Sequence, residues 1–131
     1  MRASGRRRKA DCAPQFGQTD AMDLEPRSLT PRERDLVDEL LRRSEVSIPV
    51  AAIDGLRVVG QCDCGCPTVH FNGGTNGPLL ASARVDGTYD EVLLFAGGDD
   101  GPLSSLELAW MADAPPSEFP PLSGLTPPGD I

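Results

Sequence analysis

The sequence predicts an α+β fold in one domain, with an N-terminal helix packed on an antiparallel meander sheet of about five to six strands. Three observations lead there. One stretch has helical apolar spacing behind a full capping signature. Several short stretches alternate apolar and polar residues with period two. Turns rich in Gly and Asp separate them. At 131 residues the chain has room for one core. Its 14 glycines and 13 prolines favour short elements, loops and extended ends.

The helix is Leu29 to Arg43. Thr30 is a good N-cap, Pro31 suits the first helical position, and Glu33 completes a Thr-x-x-Glu capping box. Leu36, Val37, Leu40 and Leu41 form a narrow apolar stripe, which must lie on another element. Arg42 and Arg43 fall at the negative end of the helix. Glu33, Asp35, Asp38 and Glu39 are expected in solvent. Residues 1–28 show no period and read as a disordered basic and polar tail, with Met22 a plausible alternative start. The domain is read as 29–125, and 126–131 as a frayed end.

Val46 to Ile53 reads as a strand with Val46, Ile48, Val50 and Ala52 on one side and Pro49 marking an edge or bend. Asp54-Gly55 then turns the chain into Leu56 to Cys64 as a hairpin. There Leu56, Val58, Gly60, Cys62 and Cys64 share the inward face; Arg57, Val59, Gln61 and Asp63 face water. Gly65-Cys66-Pro67 breaks the strand. Thr68 to Phe71 follows, with Val69 and Phe71 inward and Thr68 and His70 on the other face. Asn72 to Pro78 is a loop. It lacks the Gly-Lys-Ser/Thr ending of a phosphate cradle, and a strand pattern follows it.

Leu79 to Val85 alternates, and Asp86-Gly87 turns. Glu91 to Ala96 is a continuous apolar run, expected to be a central strand buried on both faces. Leu103 to Met111 has Leu106, Leu108 and Trp110 in phase with Glu107 opposite. The end is Pro-rich, and Phe119, Leu122 and Leu125 are expected to pin it across the domain. The predicted core is Leu36, Leu40, Leu41, Val58, Cys62, Cys64, Val69, Phe71, Val92, Leu94, Leu106, Leu108 and Trp110.

Cys62, Cys64, Cys66 and His70 supply the donor atoms of a zinc site. The single-residue spacing is shorter than that of a usual zinc knuckle, and His70 falls on the face opposite Cys62 and Cys64. The sequence therefore favours Cys62 and Cys64 as small buried hydrophobes, no cofactor, and His70 at the surface. Zinc held by Cys62, Cys64, Cys66 and His70 is the alternative. Asp86, Asp90, Asp99 and Asp100 offer oxygen donors for a divalent cation, but without EF-hand spacing they read as turn chemistry.

A single histidine and the lack of nucleophile-elbow, P-loop, dinucleotide or zincin motifs argue for a protein that is not an enzyme. The net charge is −8. Residues 1–10 carry five positive charges, whereas from Glu45 onward twelve acids face only Arg57 and Arg84. That argues against nucleic acid and permits a basic protein partner. No apolar run is long enough for a bilayer and no secretory signal is recognisable. Cys12 lies far from the other three cysteines in sequence. Unpaired thiols at such spacing suit the reducing cytoplasm.

Cys64 to Phe71 (CGCPTVHF), the later Leu103 to Leu108 (LSSLEL) and the Pro-rich end together resemble a set of small bacterial, largely actinobacterial, proteins of unknown function. The likeness covers roughly Leu29 to Leu122 and brings no catalytic residue with it. Some small acidic proteins of this general kind are immunity partners of toxins, an analogy of size and charge. The functional expectation is a small, acidic, non-catalytic interaction domain, immunity- or regulator-like, with a zinc module or metalloenzyme as the alternative.

Overall fold

A computed structural model describes residues 21–74, 77–98 and 100–127. Its elements are β1 (Ala21–Arg27), α1 (Pro31–Ser44), α2 (Val50–Asp54), β2 (Val58–Cys62), β3 (Val69–Phe71), β4 (Leu79–Arg84), β5 (Glu91–Ala96) and β6 (Leu103–Ala109), then a 3-10 turn at Leu122–Gly124. The fold is α+β: one long helix on a six-stranded antiparallel sheet ordered β1-β2-β3-β6-β5-β4.

The expected meander is realised as two three-stranded meanders. β1, β2 and β3 follow one another; the loop after β3 carries the chain to the far edge, and β4, β5 and β6 return to the middle. Val69 opposite Leu106 and His70 opposite Ser105 join the halves. The strands Val69 and Leu106 occupy are thus central, although far apart in sequence.

Helix α1 begins as its sequence requires. The Thr30 side chain accepts from the Glu33 amide at 3.1 Å, and the Glu33 carboxylate accepts from the Thr30 amide at 2.9 Å. Leu36, Val37, Leu40 and Leu41 are buried against β4 and β5. On the sheet, Val69 pairs with Leu106, Leu106 with Leu94, and Leu108 with Val92, so all share the core face. Every predicted core residue is buried except Cys64, which is half-buried against the cluster. Burial of each aliphatic side chain contributes about 1.5–3 kcal/mol.

Several expectations are corrected. The stretch read as tail contains β1, which pairs with β2 through Ala21 opposite Cys62 and Arg27 opposite Val58. An edge strand is held by backbone hydrogen bonds, so its side chains need no alternation. Residues 1–20 lie outside the described residues.

Val46–Ile53 is not a strand. Pro49 caps the short helix α2, where Ile53 alone is buried and Val50 is 67% exposed. Pro lacks an amide hydrogen, which a strand would miss and a helix start does not.

The strand buried on both faces is β6, not β5. Glu107, expected opposite the core in solvent, is 3% exposed and accepts from the Ser105 hydroxyl at 2.8 Å. Its central position in the sheet outweighs its polarity once that hydrogen bond is made. Glu33 is likewise buried rather than solvated, because Arg27 clasps its carboxylate with two bonds of 3.0 Å.

At the C-terminal end Phe119 and Leu125 are buried and Leu122 is exposed. Thr126, read as frayed, donates its amide to the Arg84 carbonyl at 2.9 Å, and Val85 bridges to Leu125. Residues 128–131 lie outside the described residues.

Candidate metal centre

The β2–β3 hairpin assembles the sulfurs. Cys62 ends β2 on its buried face, and Cys64 follows in the turn. The chain then reverses at Gly65, whose φ of 101° suits glycine and strains other residues. The Cys62 amide donates to the Thr68 carbonyl at 3.2 Å, which closes the hairpin. The Leu108 amide donates to the Thr68 hydroxyl at 3.0 Å, which ties the turn to β6. Inside this loop the Cys66 amide donates to Cys64 Sγ at 3.4 Å.

The result is a cluster. Cys62 Sγ lies 3.1 Å from Cys64 Sγ, and the three sulfurs all fall within 4.8 Å of one another. Cys62 and Cys66 are buried and Cys64 is half-buried. The spacing that departs from the zinc knuckle does not keep the sulfurs apart, because a strand end and a reversed turn bring them together.

Electrostatics single out Cys66. Its thiol pKa is lowered to about 5, first by the hydrogen bond from Cys62. Burial opposes the shift, and the hydroxyl and amide of Thr68 and the thiol of Cys64 add to it. The lowered pKa favours the thiolate, the form that binds metal. His70 is shifted down by burial, against the opposing pull of the Cys66 charge. Its imidazole is therefore neutral at pH 7.

Of the four residues read from sequence as a zinc set, three converge and His70 stands apart. It sits on β3 with Ser105 and Gly60 as its cross-strand partners and is outside the sulfur group. Zinc–sulfur bonds of about 2.3 Å in a tetrahedron set the sulfurs about 3.8 Å apart. The Cys62–Cys64 separation of 3.1 Å is shorter than that, and no sulfur pair of the group exceeds 4.8 Å. The aspartates follow their turn reading where they are described. Asp90 accepts from the Met111 amide at 2.9 Å, and neither Asp86 nor Asp100 joins a ligand group among the described residues. Asp99 lies outside the described residues.

Cys66 also borders a groove of about 440 Å³ between the hairpin turn, the start of α1 and the Pro-rich end. Arg27, Arg32, Gln61 and Phe119 are among its walls. Arg32 Nη1 donates to the Phe119 carbonyl at 2.9 Å, so the C-terminal segment forms one side. Sequence reasoning missed this groove, because its residues come from four separated stretches. Among the described residues no helix is long and apolar enough to cross a membrane. Compared with known protein families, curated proteins and solved structures, the chain matches none.

Proposed function

We propose that this protein is a small metal-binding module in which Cys62, Cys64 and Cys66 hold zinc or another soft, thiophilic ion. The reading rests on the convergence of three cysteine sulfurs within 4.8 Å. A cysteine packed as apolar filler has its pKa raised by burial. Cys66 is shifted the other way by its neighbours' hydrogen bonds, which favours the metal-binding form of the thiol. Soft thiolate donors select zinc and copper(I) over magnesium and calcium. The role is binding, and the chain need not be an enzyme to perform it. A reducing cytoplasmic setting keeps the three thiols available.

Elemental analysis of protein purified without a histidine tag tests the proposal. About one equivalent of zinc, copper or iron is expected, and less than about 0.2 retires it. A second reading draws on the exposed acids Asp63, Asp86, Asp100, Asp113 and Glu118, which suit a basic protein partner. Co-purification that weakens with added salt supports that reading, and salt-indifferent binding counts against it.

A further inference from the structure

We infer that an ion held by Cys62, Cys64 and Cys66 keeps one coordination position turned toward the groove, and that a small thiol carrying a carboxylate binds there. The inference rests on the metal-binding reading and deepens it. Structural zinc sites close with four protein ligands, whereas sites with three protein ligands leave a position for solvent or a ligand. Among the described residues the ligand group has three members, and His70 is not a fourth. Of the three, Cys66 lines the groove, so one corner of the sulfur group abuts the groove wall.

The groove suits such a ligand in size and chemistry. Its volume of about 440 Å³ is in the range of small-molecule sites. Pro67, Val69 and Phe119 give it apolar wall, and Arg27 and Arg32 bring guanidinium groups beside Glu33 and Glu118 of the same wall. Arg27 directs Nη1 and Nη2 at Glu33. Arg32 binds Glu118 and the Phe119 carbonyl through Nη1 at 3.4 and 2.9 Å. A guanidinium has five N–H donors, so Arg32 retains capacity for a carboxylate. A soft ion prefers sulfur as its fourth donor. The incoming thiol binds as thiolate and releases its proton to solvent, with no change of oxidation state.

Cobalt(II)-loaded full-length protein provides the test, because its visible bands report each ligand exchange. Mercaptoacetate and 2-mercaptoethanol are titrated separately. Mercaptoacetate is expected to shift the bands at about tenfold lower concentration, the effect of one charge-assisted hydrogen bond. Arg32→Gln should remove that preference while leaving mercaptoethanol binding intact. Ser117→Trp, at an exposed groove position, should block both thiols without loss of cobalt uptake. Cobalt uptake with bands that neither thiol moves overturns the inference but not the metal reading. Cys12→Ser then tells whether the chain supplies its own fourth sulfur. No cobalt–thiolate bands at all overturns both.

Discussion

Two hairpins of this sheet reverse the chain in different ways. At the β4–β5 turn Gly87 takes a φ of 80°, the Thr88 hydroxyl donates to the Val85 carbonyl, and the Asp90 amide donates to that hydroxyl, both at 2.9 Å. The turn is exposed and polar. At the β2–β3 turn Gly65 plays the same backbone part, but the interior is filled by three sulfurs. A glycine and a local acceptor suffice to turn the chain. The sulfurs exceed that requirement, and so answer to something other than the turn.

The sharpest way to break this contrast is Cys66→Ser. It should lower zinc uptake by more than about 100-fold, since even indirect support of a ligand accounts for about 10–100-fold. Thr88→Ala, the counterpart change in the other hairpin, should leave uptake as it was. Titration against a zinc indicator reads both, and equal losses would dissolve the distinction.

Leu106→Ala removes the side chain at the junction of the two meanders, where it is fully buried between Val69 and Leu94. A cost of about 2–5 kcal/mol is expected in urea unfolding. Because both hairpins lean on this residue, the transition should stay single; two separated transitions would mean that the halves fold independently.

The two glycines permit a matched pair. A Cβ at Gly65 meets nothing nearer than Pro115 Cγ at 3.9 Å, and one at Gly87 meets nothing within 4 Å. Gly65→Ala and Gly87→Ala should therefore each cost about 1–2 kcal/mol from backbone strain alone. Only Gly65→Ala should also weaken metal uptake. If both variants bind zinc like the parent, the turn does not organise the sulfurs.

A different kind of effect is a slope with pH in the metal-free protein. The folded pKa of Cys66, about 5, is below that of an ordinary thiol at about 8.5. Between these values the unfolded chain binds more protons, so stability rises with pH. This contribution is full above the unfolded value and is lost as pH falls through about 5. Urea midpoints across that window should climb more steeply in the parent than in Cys66→Ser. A steeper climb in the variant would reverse the assigned direction.

How much of this was legible depends on how local each signal is. The capping box of α1 is a contact across three residues, and Thr30 and Glu33 form it as read. The parity of β2 also held: Leu56, Val58, Gly60 and Cys62 are buried, while Arg57, Val59 and Gln61 are not fully so. β1 was invisible because an edge strand is recruited by a neighbour's backbone. α2 was misread because four alternating residues mimic a strand, and Pro49, taken as a strand edge or bend, is the helix cap. The burial of Glu107 was hidden because it depends on β6 lying between β3 and β5.

The chain's residue order by itself determined the fold class, the helix and its supported face, and the face of the strand on which Cys62 stands. Only the tertiary structure decided that Cys66 returns to meet them, that His70 does not, and that a groove opens beside the third sulfur. Alternation dictates which way a side chain points, but not how far apart two sulfurs lie. That distance is set by the positive φ of Gly65 and by the Thr68 hydroxyl gripping Leu108, forty residues away in the chain.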